Sequence, residues 1–348
     1  MPLDRRLLAA ALDRRRPLLE RLAGDGTDCY RLFHGIAEGA PGIAIDRYGP
    51  ILLVQTWREP LAEGDLDRLG QEIQERLGTP LAPVWNHRAH GGQGGHGGKQ
   101  RGATFARFHD PEIPEAPEGR ELSLRYDVRP RHHGLDPLLF LDLRAGRRRI
   151  RAAARGMSVL NLFAYTCSSG VAASSGGARE VWNVDFSKTA LDVGRTNLER
   201  NALSLESTRF IAEDAIAVSR QLAGLPVSSS RGRGPSRRER RFTRFEPRSF
   251  DLTILDPPRW SRGVFGAVDV VRDYATLLKP ALLLTAEGGV LLTTNHAPEV
   301  ARDSFLRVLE RTVQKNGRSI RALEWILPED DFPSFDDAPP LKAAWMEL

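Results

Sequence analysis

The residues best placed to do chemistry in this 348-residue chain are Asp256-Pro257-Pro258-Arg259-Trp260. Two consecutive prolines fix φ and remove two backbone donors. Such a turn presents the Asp256 carboxylate and the Pro257 carbonyl as acceptors at fixed positions, suited to a planar amine or the edge of a nucleobase. Trp260 adds a flat face for stacking, worth about 1–3 kcal/mol per base in single-strand binders. The plain alternative is a Pro-Pro turn that ends a strand, with Trp260 in the core.

Three further segments each follow a stretch that reads as a strand. Asn161-Leu162-Phe163-Ala164-Tyr165-Thr166-Cys167-Ser168-Ser169-Gly170 offers small residues that let a backbone approach a ligand closely. Asp185 ends the next strand, where a carboxylate accepts from both hydroxyls of a ribose. Glu213-Asp214 follows the third and suits an adenine amino group. Each has a bland alternative, because a Thr/Ser/Gly loop is an ordinary turn and an Asp at a strand end caps the next helix. The ordered set is what argues for a ligand. No GxGxxG fingerprint joins a predicted strand to a helix, and no Walker lysine is present, which disfavours nicotinamide and ATP.

The elements that must position these residues alternate. Leu141 to Ala154 reads as a helix, and strands follow at Ser158–Leu162, Val181–Asp185, Arg209–Ala212, Phe250–Leu255 and Gly289–Thr294, with a helix at Thr189–Asn201. Ala322–Leu327 and Leu341–Met346 supply two closing strands. This pattern predicts a doubly wound, mostly parallel sheet whose ligands bind outside the carboxyl ends of the strands. The sequence before it differs. Met1–Leu22 reads as an amphipathic helix, Asp28–Trp57 as paired strands with Gly/Pro turns, Leu61–Leu77 as a helix and Val84–Asn86 as a strand. The expected division is a helix at 1–24, a small α+β domain at 25–130 that serves substrate docking, and an α/β domain at 131–348. His87–Gly102 reads as a glycine-rich loop, and residues 110–119 as a linker.

Composition narrows the classes. The two cysteines, Cys29 and Cys167, have no metal-ligand spacing and form no disulfide framework, so no metal is expected and a reducing cytoplasm fits. No run reaches the ~18–20 apolar residues needed to span a bilayer. The formal net charge is +5, but residues 231–248 alone carry +6, leaving −1 for the rest. The stretch 228–248 is therefore expected to be a disordered, arginine-rich insert. It precedes a strand, so it emerges at the end of the sheet opposite the site, as an RNA tether or a solvated loop. Arg144, Arg147, Arg148, Arg149, Arg151 and Arg155 form a second basic face, suited to phosphate contact. Glu329, Asp330, Asp331, Asp336 and Asp337 make an acidic loop that would repel a nucleic-acid backbone.

Taken together, these residues resemble the bacterial large-subunit ribosomal RNA methyltransferases that make 5-methylcytosine, and the related branch that makes 7-methylguanine. The matching segments are Tyr30-Arg31-Leu32, Gly39–Gly49, Phe140–Arg144, Asn161–Thr166 and Asp256-Pro257-Pro258. The resemblance implies a class I fold with a seven-stranded sheet and S-adenosylmethionine as cofactor. By it, Thr166, Ser169 and Gly170 lie along the methionine part, Asp185 holds the ribose, Asp214 the adenine, and Arg144 closes over the ligand. Asn161, Phe163, Tyr165, Phe186 and Asp256 complete the cofactor-binding set. Asp256, Pro257, Trp260 and Asn295 form the catalytic set, and ribosomal RNA is the implied partner. His296 stands beside them as a base or a structural histidine.

The chain departs from the family in three places. The family's N-terminal PUA-type module is not read in this sequence, so docking to RNA is expected to use another surface. Cys167-Ser168-Ser169 replaces the usual glycines. Where the 5-methylcytosine enzymes carry a nucleophilic cysteine, this chain reads Thr293-Thr294-Asn295-His296. Methylation of pyrimidine C5 needs a nucleophile to add at C6, so a nucleobase nitrogen is the expected acceptor. Two other readings stay open: methylation of a protein or small molecule, and a non-catalytic RNA-binding scaffold. Oligomeric state is not legible.

Overall fold

A computed structural model describes residues 3–88, 104–108, 116–130, 136–227, 243–263, 266–336 and 338–348. The chain forms two compact units, Met1–Asp142 with Glu329–Asp337, and Leu143–Pro328 with Ala338–Leu348. The division expected near residue 130 thus falls at Asp142/Leu143, and a late segment returns to the first unit. The helix expected at 1–24 belongs to that unit too.

In the first unit, helix α1 (Arg5–Gly24) is capped by Asp4, whose side chain accepts from Arg6 N at 2.8 Å. Its apolar stripe of Leu8, Ala11, Leu12, Leu18 and Leu22 is buried in one core with strand residues Leu32, Phe33, Ile45, Leu52 and Val54. Strands β1 (Cys29–His34), β2 (Ile43–Tyr48) and β3 (Ile51–Thr56) form an antiparallel meander. Helix α2 (Asp65–Leu77) then crosses over to β4 (Ala82–Arg88), parallel to β3, and β5 (Thr104–Phe108) closes the five-stranded sheet. The expected loop at 87–102 falls almost wholly outside the described residues, as does the first part of the expected linker at 110–119.

A hairpin of β6 (Glu118–Glu121) and β7 (Leu124–Asp127) was not legible in the sequence. Both residues of its two-residue turn, Leu122 (φ 55°) and Ser123 (φ 63°), are left-handed. Such a turn normally calls for Asn-Gly. Here Thr27 Oγ1 accepts from Leu122 N at 2.9 Å and Gly26 O from Ser123 N, which holds the unfavourable conformation in place.

The acidic stretch near 330 is not a free repulsive loop. Asp331 is fully buried; its carboxylate accepts from Arg31 N at 3.0 Å and its carbonyl from Arg15 Nη2 at 3.1 Å. Phe332 packs under the Arg31 guanidinium. These contacts are what assign the segment to the first unit.

The second unit begins with α3 (Arg144–Ala153), then β8 (Ser158–Leu162), α4 (Ser168–Ser175), β9 (Glu180–Asp185), α5 (Lys188–Arg200), β10 (Thr208–Ala212), α6 (Ala215–Leu222) and β11 (Phe250–Leu255). A short hairpin, β12 (Trp260–Gly263) and β13 (Gly266–Asp269), leads to α7 (Tyr274–Leu284), β14 (Thr285–Asn295), α8 (Arg302–Lys315), β15 (Ala322–Ile326) and β16 (Lys342–Glu347). The seven-stranded sheet runs β10-β9-β8-β11-β14-β16-β15, with β10 to β14 parallel and β16 antiparallel to both neighbours. This is the doubly wound class I arrangement. Strands β8 and β11 are apolar on both faces because helices cover both, which is why they read as continuous hydrophobic runs.

Two charged segments behave differently from expectation. Residues 228–242 of the arginine-rich insert lie outside the described residues, but its last residues are packed. Thr243 donates to Glu213 Oε1, and Arg248 pairs with Glu180 at 2.8 Å while lying over Trp182 and Phe250. On α3, Arg144 and Arg147 are 1% exposed, and Arg149 pairs with Glu324 and covers Trp345. The helix buries part of its basic face rather than presenting it to phosphate.

Candidate active site

In the second unit the sheet order reverses between β8 and β11, so the crossovers on either side leave a crevice at the carboxyl ends of those strands. The loops after β8, β9, β10, β11 and β14 share that rim.

The loop after β8 has an unusual backbone. Phe163 (φ 59°), Tyr165 (φ 47°) and Cys167 (φ 61°) are all left-handed, and none is glycine. Each such residue costs on the order of 1 kcal/mol and persists only where the surroundings determine it. Ala164 N donates to Val184 O at 3.0 Å and Tyr165 N to Asp185 Oδ2 at 2.8 Å, stitching this loop to the end of β9. Cys167 adopts a left-handed conformation that glycine takes most readily. Its sulfur is accommodated because Gly194 of α5 lies opposite, where an added Cβ would sit 2.3 Å from Sγ. Burial, reinforced by Asp185, pushes the Cys167 thiol well up and disfavours the thiolate.

Asp185 accepts one backbone N–H on each oxygen, from Tyr165 and from Ser187 at 2.8 Å. Burial raises its pKa, and these two bonds offset that only in part. A buried carboxylate short of donors suits the two hydroxyls of a ribose. Next to it, the Phe186 ring is 71% exposed, available to cover an adenine. Thr166 and Ser169 are buried at the start of α4. This donor set fits S-adenosylmethionine.

Three expected cofactor residues do other work. Asn161 is buried in the sheet and donates to Asn183 Oδ1 at 2.9 Å, so its amide is spent between β8 and β9. Gly170 is needed for packing, since an added Cβ would sit 2.1 Å from that same Asn183 oxygen. Asp214 caps α6, its Oδ1 accepting from Ile216 N and Ala217 N at 2.9 and 3.3 Å. Asn183 gave no signal in the sequence because its role appears only when two strands pair. Arg144 is buried rather than lying exposed on the helix.

The loop after β11 carries the reaction half. Asp256 is half-buried, and its Oδ1 is hydrogen-bonded to Thr294 Oγ1 and, at 2.9 Å, to His296 Nε2. Burial acts to raise the Asp256 pKa, but the bond and charge of His296, then Thr294 and Arg147, outweigh it and hold the carboxyl below its ordinary value. Pro257 is buried. Trp260, at the start of the β12–β13 hairpin, is 49% exposed and thus outside the core.

Asn295 is the clearest correction. It is buried, its Nδ2 donates to Val270 O at 3.0 Å and its Oδ1 accepts from Ala297 N at 2.9 Å. With both ends committed to the backbone, it does not reach into the site. Strand alternation explains why: Thr294 and, one residue past the end of β14, His296 both reach Asp256, and Asn295 between them points the other way. Of this tetrapeptide, Thr294 and His296 are the members that contact Asp256. Arg147, whose charge acts on Asp256 from α3, was read only as part of a surface patch.

A site at the carboxyl ends of the strands, on a sheet with one antiparallel strand next to its edge, is where a doubly wound fold binds its ligands. The sequence profile of S-adenosylmethionine-dependent methyltransferases matches residues 30–226. The chain belongs to that family and is a methyltransferase that uses S-adenosylmethionine. It is 29% identical over 314 residues to ribosomal RNA large subunit methyltransferase I of Shigella flexneri, covering 89% of this chain and 71% of the relative. It is 29% identical over 328 residues to the protein of the same name from Aeromonas hydrophila, covering 94% and 75%. Among solved structures, SMU.776, assigned as a methyltransferase and crystallised with SAH, aligns with TM-score 0.77 at 23% identity, over 99% of this chain and 80% of that one. The SAM-dependent methyltransferase from Agrobacterium tumefaciens aligns with TM-score 0.63 at 18% identity, over 92% and 90%. Both likenesses concern the fold. Among the described residues, no helix is long and apolar enough to cross a membrane.

Proposed function

We propose that this chain methylates a nucleobase nitrogen in large-subunit ribosomal RNA. The observation that carries the choice of atom is Asp256. It is an acceptor whose carboxyl is held below its ordinary pKa, four residues before the half-exposed Trp260, in a site where no thiol stands. Both cysteines of the chain, Cys29 and Cys167, are buried, and burial raises both thiols. Addition to pyrimidine C6 therefore lacks its nucleophile, whereas a nitrogen needs only its own lone pair and correct orientation. The choice of ribosomal RNA is supported by the names of the two relatives above.

In this reading Asp185 and Phe186 hold the nucleoside end of the cofactor, and the loop 163–169 flanks its methionine end. When bound, the cofactor supplies an electrophilic methyl group on a positively charged sulfur, whose C–S bond breaks with its electron pair passing to sulfur. Asp256 and the Pro257 carbonyl orient the base, and Trp260 stacks on it. The first unit serves substrate docking. The Cys167-Ser168-Ser169 departure, which motivated a scaffold without turnover, loses force because Gly194 accommodates the cysteine and the glycine-like backbone is kept.

The test is mass spectrometry of ribosomal RNA from a strain in which the gene is deleted. The expected result is the loss of one base methylation from the large subunit, restored by the intact gene. A full complement of ribosomal RNA methyl groups in the deletion strain would contradict the proposal.

A further inference from the structure

We infer that Asn197 is a positioning residue for the cofactor, and that helix α5 is the spacer that holds the loop after β8 at a fixed distance from Asp185, given the reading above that places Asp185 at the nucleoside end of S-adenosylmethionine and the loop 163–169 at its methionine end.

The loop has a geometry that its own residues do not favour. Phe163, Tyr165 and Cys167 hold positive φ angles with no glycine among them. A backbone of that kind is kept only where its surroundings impose it. One restraint comes from the end of β9, through Val184 O and Asp185 Oδ2. A second comes from one side of α5.

Leu191, Gly194 and Asn197 stand three residues apart on that helix and so line one side of it. Leu191 is buried in a small cluster with Ala164 and Cys167 of the loop, and Phe210 packs against it. This cluster is separate from the two larger cores of the unit. Gly194 leaves the space that Cys167 fills, and a Cβ added there would also come within 3.2 Å of Thr166 O. Asn197 is fully buried, and its Nδ2 donates to that same Thr166 carbonyl at 3.3 Å. The carbonyl belongs to the peptide that leads into left-handed Cys167, the N-cap of α4. Holding it toward α5 fixes how that peptide is turned where the loop enters α4.

The same helix starts on the ribose carboxylate. Ser187 N donates to Asp185 Oδ1 at 2.8 Å, and Ser187 Oγ caps the first turn by accepting from Ala190 N at 3.3 Å. Asn201 closes the other end, its Nδ2 donating to Asn197 O at 2.7 Å. A hydrogen-bonded helix has a fixed rise per residue. The distance from Ser187 to Asn197 is therefore set by α5, and with it the span between the group that takes the ribose and the loop that flanks the methionine. Asn197, buried beneath the loop, acts through Thr166.

The experiment uses the full chain and two ligands in calorimetry. One is S-adenosylmethionine. The other is 5′-methylthioadenosine, which keeps the nucleoside and sulfur but lacks the amino-acid part. Asn197→Leu removes the donor from the buried Thr166 carbonyl. Asn197→Ala does so with less bulk and serves if the leucine hinders folding, which thermal denaturation reads. The expected result is a Kd for S-adenosylmethionine raised about tenfold, with the Kd for 5′-methylthioadenosine as in the wild type. A merely structural role would weaken both ligands together, and equal weakening overturns the inference. Wild-type Kd for both ligands in a folded variant overturns it as well. The site reading beneath it is tested by the wild-type chain alone, which should bind S-adenosylmethionine more tightly than 5′-methylthioadenosine. Equal wild-type affinities would mean that nothing holds the methionine part, and would remove that reading and the inference with it.

Discussion

Glu38 in the first unit and Asp256 in the second are both carboxylates set against a histidine-containing segment, and both sit below their ordinary pKa despite burial. Their surroundings differ in one respect. Every N–H of the Arg15 guanidinium is used, on Glu38 Oε1 and Oε2, Ala11 O, Arg31 O and Asp331 O. Glu38 in turn accepts from Arg14, Arg15 twice, and His34 N. Alongside, Arg31 grips Asp46 with two bonds at 2.8 and 3.0 Å, and His34, whose pKa burial and then Arg31 push down to about 4, stands 2.9 Å from Arg31 Nη1. That network is closed. At Asp256 one oxygen is doubly engaged, and among the described residues nothing donates to the other. A closed network holds a fold together; an open one is stabilised further by whatever completes it.

Breaking the closed network should cost the most stability. Arg15→Met leaves Glu38 buried without its main partner and should destabilise the first unit by about 3–5 kcal/mol in denaturant titrations. Burial raises the Glu38 pKa, but Arg15, His34 N–H and Arg14 together lower it further than burial raises it. Its stabilisation is thus fully present above the ordinary glutamate value and is lost as pH falls through the depressed one. Glu38→Gln should flatten that acid limb. Loss of methylation by folded Glu38→Gln, with stability unchanged, would erase the distinction between the two carboxylates.

A smaller effect is expected where the second unit tolerates an unusual backbone. Gly194→Ala forces a Cβ against the Cys167 sulfur and should cost about 1–3 kcal/mol. Cys167→Gly removes that sulfur and should recover more than half of the loss in the double variant, a coupling measurable by thermal denaturation. Additive effects would mean that Gly194 does not accommodate the cysteine, and that the loop after β8 is held by other contacts.

Much of the second unit could be read in the residues because parallel strands covered by helices leave a strong apolar signal. The strands and the positions of Asp185 and the Asp256 turn at strand ends could be read from the residues. What escaped was set by pairing between distant residues. Asn161 and Gly170 look like ligand residues until Asn183 is seen beside them. Asp214 was equally a cap and a contact, and the structure shows the cap. Thr294 and His296 share a face that period-two alternation alone would have pointed out. In the first unit, the Leu122–Ser123 turn lacks the usual glycine, and the 329–337 segment joins residues some three hundred positions away. Neither leaves a local trace.

The central claim is that Asp256 acts through an oxygen the fold leaves open. Asp256→Asn keeps the shape and an acceptor but removes the charge. Calorimetry and methylation assays on the same preparation should show S-adenosylmethionine bound as in the wild type and kcat reduced at least about 100-fold. Undiminished methylation by a folded, cofactor-binding Asp256→Asn protein would contradict the account.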